Sequence, residues 1–582
     1  VKRFAQKNPH RLRDFAEDSK AYVAHMGGKG DFFSNEKSVT LDKDQKVTIA
    51  LNGKELTSID AIAGEVLDGT FMSIAALRAF YKQTIEDAKA KGLIWSLHLK
   101  ATMMKISDPI MFGHAFEIFF ADVFAKYADT FKEVGVNPNM GMSDLEKKIA
   151  GHAQEAEIKA AFQAAVDSDA PKIAMVDSDK GQTNFNASND VIIDASMPVV
   201  VREGGKQWDR TGAALETVAV IPESTYAMFD AEMVADWVTN AQYDVATMGT
   251  MQNIGLMAQK AEEYGSHPTT FELAEAGTVT VTGADGVLMS FECEAGDIWR
   301  LARTKDIPIR DWVRLTVERT RIEGIPAVFW LDENRAHDAE LIKKVNEYLK
   351  DFDTSGLDIQ FMKVTDATRF TNERIRRGEN TIAVTGNVLR DHLTDMYPIL
   401  ELGTSAKMLS IVPLIAGGGL YETGAGGSAP KHVDQFLAEG HLRWDSLGEF
   451  LALAESLRFI GQKHDDAKLK ALTEGLDEAN NGYLDNSKEP GRKVGQPDNK
   501  ASHFFLAQYW AEALANGSDA ELAEKFAPVA KALKENEEKI MEELLAVEGQ
   551  PQDVGGYFHP NDELAAKAMR PSATLNAIID AI

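Results

Sequence analysis

The segment Arg390-Asp391-His392-Leu393-Thr394-Asp395 follows the apolar run Thr381 to Asn387. If a helix begins there, Asp391 and Asp395 stand four residues apart and project from one face. Two carboxylates so held repel each other, and a hard divalent cation, Mg2+ or Mn2+, would relieve the repulsion by taking oxygen ligands. The same spacing also suits a first helical turn whose acids complement the helix dipole. Asp194, in V-I-I-D-A-S, is a carboxylate inside an apolar run, where a buried charge requires a partner. A metal would serve, and so would a role as a strand-end cap on the next turn. Lys100 closes the strand-like L-H-L-K, where desolvation or a neighbouring charge tunes an amine for proton transfer. Its stem could equally lie on apolar surface with the ammonium in water. Tyr264, in K-A-E-E-Y-G-S-H, reads singly as a surface aromatic beside a glycine turn.

A second constellation is the glycine-rich run from Ile411 to Val433, I-V-P-L-I-A-G-G-G-L-Y-E-T-G-A-G-G-S-A-P-K-H-V. Glycines free backbone N–H groups to approach phosphate, and Lys431 and His432 add positive charge. The run is neither a Walker A loop nor a G-x-G-x-x-G strand-to-helix turn, and a hinge between domains is the alternative. Arg443 and Arg492, in L-R-W-D and P-G-R-K, are ordinary surface residues unless that loop lies near them. Cys293 is the single cysteine, so disulfides within the chain and thiolate metal clusters are excluded and a reducing cytoplasm is expected. With no basic neighbour it reads as a structural thiol.

The elements that must position these residues are those of a large α/β protein. At 582 residues the chain exceeds one hydrophobic core, and 44% apolar with 26% charged residues excludes disordered and fibrous classes. Its net charge of −28 repels nucleic acid and anionic membranes, so an anionic ligand needs a locally basic pocket. Strand patterns such as Val47 to Ala50 alternate with helical ones at Phe71 to Lys91 and Phe112 to Phe131. Residues 171–202 read as two apolar strands beside a polar loop. Further strands are expected at 327–331, 358–364 and 381–384, with a hairpin over 278–289 turning near Gly283 to Gly286. Beyond residue 413 helical spacing dominates, with Asn480 to Lys500 a loop between helices and Glu521 to Glu548 a charged helical surface. A domain boundary is placed near residue 401. No run is apolar enough to span a bilayer.

Four segments in order resemble the decarboxylating dehydrogenases of 2-hydroxy acids, specifically isocitrate dehydrogenases. L-H-L-K-A-T-M-M-K is similar to the catalytic-lysine segment, D-V-I-I-D-A to the metal-aspartate segment and T-G-N-V-L-R-D-H-L-T-D to the paired-aspartate segment. G-S-A-P-K-H is similar to the cofactor loop. The wording of the glycine-rich run, with its helical tail, resembles the monomeric NADP-dependent type across essentially all 582 residues. This resemblance implies an isocitrate/isopropylmalate dehydrogenase-like α/β fold. A large mixed-sheet domain over residues 1–401 would carry the metal and substrate residues. Residues 402–582 would form the smaller, mainly helical, NADP-binding part of a discontinuous domain, with a cleft between the two.

The implied activity is NADP-dependent oxidative decarboxylation of isocitrate to 2-oxoglutarate and CO2, in a cytoplasmic monomer with neither nucleic-acid nor membrane partners. Asp194, Asp391 and Asp395 would bind Mg2+ or Mn2+, Arg390 a substrate carboxylate, and Lys100 and Tyr264 would move protons. Lys431, His432, Arg443 and Arg492 would surround the 2′-phosphate, with Ser428 near the adenosine. Asp445 would either orient Arg443 or touch the adenine. The family also carries a substrate motif of the form S-N-S-D-R-R ahead of the point where this sequence opens, so a missing leading segment is expected. The alternatives are a non-catalytic fragment that binds NADP or metal, and a dehydrogenase of another 2-hydroxy acid.

Overall fold

A computed structural model describes the chain apart from residues 1, 8, 102, 169–170, 257–260, 263–266, 404–408, 414–418, 424–428 and 557–558. Two compact units emerge. One comprises residues 11–400 with 412–419, the other residues 1–10, 401–411 and 420–582. The first ten residues, expected in the large domain, thus cluster with the C-terminal helices.

The larger unit holds two largely parallel sheets, one of them extended by the antiparallel strand Lys206–Trp208. In one, the strands Tyr22–Ala24, Ala214–Val220, Ile94–Leu97 and Lys172–Ile173 are neighbours in that order. In the other, Ile359–Met362, Ala327–Trp330, Thr381–Thr385 and Met251–Gly255 run parallel. Ile94–Leu97, Ala327–Trp330 and Thr381–Thr385 are buried at every position, as expected for strands covered on both faces. Their C-terminal ends are where such sheets commonly place ligand sites.

Two antiparallel sheets share a further core. Val47, Ile49 and Leu51 alternate inward on Gln45–Leu51, with Val279 and Val281 on the neighbouring Gly277–Gly283, and meet Leu67, Trp299 and Leu301 of the other sheet. The expected hairpin is present as Gly277–Gly283 and Gly286–Cys293. Cys293 is buried there, and burial, then Asp297, push its thiol up to about 12, which fits a structural role.

Three local expectations need correction. Residues 191–202 are not a strand: Ile193–Arg202 is an α-helix with Pro198 inside it, because Ile193, Met197, Val200 and Val201 share one buried helical face. Phe71 lies in the strand Val66–Met72, and the helix Ile74–Lys91 starts only after the Ser73 cap. The run Phe112 to Phe131 breaks into Ser107–Phe119, Ala121–Lys126 and Ala128–Val134 at Phe120 and Tyr127.

The smaller unit is built on the helices Leu447–Lys463, Ala467–Asp485, Asn499–Ala515 and Ala520–Glu535, packed through Leu476, Tyr483, Phe504, Phe505 and Leu533. Asp466, Asp498 and Asp519 cap three of them by accepting from first-turn amides. The loop foreseen over Asn480 to Lys500 begins only after Asp485. None of the described helices is long and apolar enough to cross a membrane.

Beneath the first parallel sheet, Phe116 lies 5.1–5.9 Å, centroid to centroid, from Phe120, Phe124, Phe162 and Phe185. Phe116→Ala should therefore cost roughly 3–5 kcal/mol, read as a lower denaturant midpoint for the larger unit. An unchanged midpoint would show that this cluster is not cohesive.

Candidate active site

Lys100 and Asp194 are brought together by the backbone. Past Leu97 the chain stays extended, the His98 amide donating to the Val220 carbonyl at 2.9 Å. Leu99 then forms a parallel bridge with Ile192: its amide donates to Val191 at 2.9 Å, and its carbonyl accepts from Ile193 at 2.8 Å. Lys100 thus faces the start of the helix Ile193–Arg202, with Asp194 in its first turn. His98 sits between the hydroxyls of Ser96 and Ser196 at 2.9 and 2.7 Å, and burial lowers it to about 3, so it is a neutral hydrogen-bonding post.

The third strand of the second parallel sheet, Thr381–Thr385, delivers the other half. It leads into the helix Asn387–Leu402, where Leu393, Met396, Tyr397 and Leu400 are buried at helical spacing. Asp391 and Asp395 share this helix one turn apart, as expected, although it opens three residues before Arg390. Arg390 is buried against Gly255. A Cβ at that position would lie 2.2 Å from Arg390 Cδ, so only glycine leaves room. Asn387 Oδ1 accepts from Arg390 Nε and one terminal nitrogen at 3.3 and 3.2 Å.

These segments converge on one ammonium. Lys100 Nζ contacts Asp194 Oδ2 and lies 2.8 Å from Asp391 Oδ2, with only 2% of the lysine side chain exposed. Burial would lower this amine, but the two carboxylates outweigh it and hold it above its ordinary range. Burial likewise pushes Asp391 up, and Lys100 with Arg390 overcomes that and holds it low. Arg390 also pairs directly with Asp391.

Two residues outside the expected set complete the cluster. His392 Nε2 stands 3.5 Å from Asp194 Oδ1, and its Nδ1 stands 3.4 Å from Asp230 Oδ2. Burial opposes charge on this ring, but Asp230 and Asp194 raise it. Asp194 Oδ1 is buried without a hydrogen-bond partner among the described residues. An orphaned carboxylate oxygen, with carboxylates already converging on one cation, matches the donor set of a hard divalent metal. Asp230 had a readable signal, an acid inside the buried face Tyr226, Phe229 and Met233 of the helix Ser224–Thr239.

Asp108 is the other omission. Its Oδ2 accepts the Lys100 amide at 2.7 Å, and burial, then Glu223, push its carboxyl up to about 7. Arg300 pairs with Glu223 at 2.8 Å and packs 3.6 Å from the centre of the Phe32 ring.

In the smaller unit, burial and then Arg443 lower the His432 imidazole. His432 Nδ1 and Arg443 Nε are buried with no hydrogen-bond partner among the described residues, and Arg492 is exposed. Asp445 Oδ1 accepts from the Leu447 amide at 3.0 Å and the Tyr483 hydroxyl at 2.9 Å, so it anchors the turn after Arg443. Tyr264 and Ser428 lie outside the described residues, and of Lys431 only the backbone, in the helix Ala429–Glu439, is described.

Residues 1–580 match the family described as "Monomeric isocitrate dehydrogenase". The chain is 52% identical over 589 residues to "Isocitrate dehydrogenase (NADP)" of Azotobacter vinelandii, covering 100% of this chain and 79% of that one. It is 52% identical over 590 residues to the protein of the same name from Corynebacterium efficiens, covering 100% and 81%. It is 51% identical over 593 residues to "Isocitrate dehydrogenase (NADP) 2" of Mycobacterium tuberculosis, covering 100% and 79%. A solved isocitrate dehydrogenase of Ostreococcus tauri, in complex with isocitrate and magnesium(II), aligns over 42% of this chain and 66% of its own. The TM-score is 0.30 and the identity 14%, too slight a likeness to argue from.

A carboxyl raised from 3.8 to about 7 keeps its proton in the folded chain at pH values where the unfolded chain has lost it. Asp108 therefore makes stability fall as pH climbs through that window, and the loss is complete above it. Asp108→Asn keeps an acceptor for the Lys100 amide and removes the titration. Its stability relative to wild type should rise between about pH 4 and 7, measured by urea unfolding. Parallel profiles for the two proteins would refute the assignment.

Proposed function

Because the chain belongs to the monomeric isocitrate dehydrogenase family, we propose that it catalyses NADP-dependent oxidative decarboxylation of isocitrate to 2-oxoglutarate and CO2. The observation that carries this reading is the meeting of Lys100, Asp194 and Asp391, from three distant segments, around one buried cation position.

Asp194, Asp391 and Asp395 would hold Mg2+ or Mn2+, which when bound supplies Lewis-acid charge to the substrate's oxygens. Arg390, kept in place by Asn387 and the space at Gly255, offers a guanidinium for a substrate carboxylate. Lys100 is the proton carrier at the centre: its amide is fixed by Asp108, while its ammonium lies between carboxylates that would turn to the metal. Tyr264 is the proposed second proton donor. The His392–Asp230 pair backs Asp194 from behind, the kind of outer support that fixes a metal-binding carboxylate. His432, Arg443 and Arg492, with Lys431, would receive the 2′-phosphate, and Ser428 the adenosine. Several cations favour a phosphate over a bare hydroxyl. Both residue sets lie in one chain.

Isocitrate, NADP+ and Mn2+ should together give 2-oxoglutarate and NADPH in equal amounts, and no product at saturating substrates would reject the reading. Asp391→Asn should lower turnover roughly a hundredfold or more while nucleotide binding persists. Lys100→Met should also abolish turnover, yet bind Mn2+ more tightly than wild type, because the competing ammonium is gone. Weaker Mn2+ binding in that variant, followed by paramagnetic resonance, would remove the shared cation position from the argument.

A further inference from the structure

Beside the residues assigned to the 2′-phosphate lies a second buried charged cluster. His441, Asp498 and Lys500 are 0%, 1% and 4% exposed, and the Glu548 side chain is 2% exposed. His441 Nδ1 is 3.1 Å from Glu548 Oε1, and Lys500 Nζ pairs with Asp498 Oδ2. Three donor atoms of His441, Asp498 and Glu548 lie within 4.8 Å of one another, a spacing a metal would accept. The Lys500 ammonium already neutralises Asp498, however, and the remaining polar atoms are largely spent on backbone.

Where they are spent is informative. His441 Nε2 donates to the Gly491 carbonyl at 2.9 Å, one residue before Arg492. The Arg492 carbonyl accepts from Gln435 Nε2 at 3.2 Å, and the Gly491 amide donates to Pro497 at 2.7 Å. Glu548 Oε2 accepts the Gly495 amide of the same loop at 2.7 Å. Asp498 Oδ2 accepts the Leu442 amide at 3.0 Å, one residue before Arg443, and the Leu442 carbonyl accepts from Asn499 at 2.8 Å. On the other side of Arg443, Asn499 Nδ2 donates to the Trp444 carbonyl at 2.8 Å. Lys500 Nζ reaches the Gly440 carbonyl at 3.0 Å. The backbone flanking both arginines is thus fastened to a single buried cluster.

We infer that His441, Glu548, Asp498 and Lys500 form a brace that positions Arg443 and Arg492 and so determines preference for NADP over NAD. The inference rests on the proposed role of those two arginines toward the 2′-phosphate. The brace touches no part of the cofactor, and its members are positioning residues. Loosening it costs only the contacts that NADP makes and NAD lacks, so binding of the nicotinamide and adenine parts is spared. A role in general stability would instead weaken both nucleotides together.

Equilibrium titration of NADPH and NADH by nicotinamide fluorescence, with thermal melting in parallel, tests this in the whole chain. Wild type should bind NADPH more tightly. His441→Leu should reduce the NADPH-to-NADH affinity ratio roughly tenfold, nearly all of it on the NADPH side. His441→Gln, whose amide N–H can still reach the Gly491 carbonyl, should recover most of the ratio. If His441→Leu does not fold, Glu548→Gln decides, with an expected loss of roughly threefold. A wild-type ratio in these variants, or equal losses for both nucleotides, overturns the brace alone. A wild-type protein that does not discriminate overturns the 2′-phosphate assignment, and the brace with it.

Discussion

Two buried carboxylates cannot be held side by side without a cation, and the contact of Lys100 with Asp194 and Asp391 is how this chain meets that constraint. The larger unit's architecture makes sense as support for it. The Leu99–Ile192 bridge fixes the approach of Lys100 to Asp194, and Thr381–Thr385 launches the helix bearing Asp391. Gly255 clears the space that Arg390 fills, and Asp108 secures the Lys100 amide. Each device lies at or just beyond the C-terminal end of a parallel strand, where the sheet stops supplying hydrogen bonds and the backbone can turn toward a ligand.

The ammonium leaves the arrangement unfinished. Among the described residues Asp194 Oδ1 is buried without a hydrogen-bond partner, and His392 stops 3.5 Å from it. A charge network built only for stability would close such a gap, because an orphaned buried acceptor costs about 1–3 kcal/mol. The brace around Asp498 shows the contrast: both its oxygens take backbone amides, of Lys500 and Leu442, and one also takes an ammonium. Most polar atoms of that cluster hold the chain, His441 Nδ1 being buried without a hydrogen-bond partner among the described residues.

Much of this was legible in the residues, and the failures have physical causes. The Asp391 and Asp395 spacing and the strands at 327–330, 359–362 and 381–385 follow from local periodicity, which the structure retains. Residues 191–202 misled because V-I-I and V-V-V favour strands in isolation, whereas burial of Ile193, Met197, Val200 and Val201 on one face decides for a helix. The roles of Asp230 and His392 depend on partners far away in sequence, Asp230 on His392 and His392 on Asp194, while Asp108 meets the Lys100 amide only eight residues back. Periodicity reports which face is buried. It does not report which charges meet there.

Net charge enters last, as a condition on the ligands. With 28 more acids than bases, the chain's long-range field opposes anions, so a tricarboxylate or a phosphorylated dinucleotide must be recognised at short range. That favours cations whose position is fixed before the ligand arrives, since a mobile arginine would have to be ordered against the repulsion at binding. Arg390 is wedged between Asn387 and Gly255, and the backbone beside Arg443 and Arg492 is fastened from within. On the proposed assignments, cations held in this way on an acidic protein would supply selectivity as well as affinity, because away from them an anion meets repulsion.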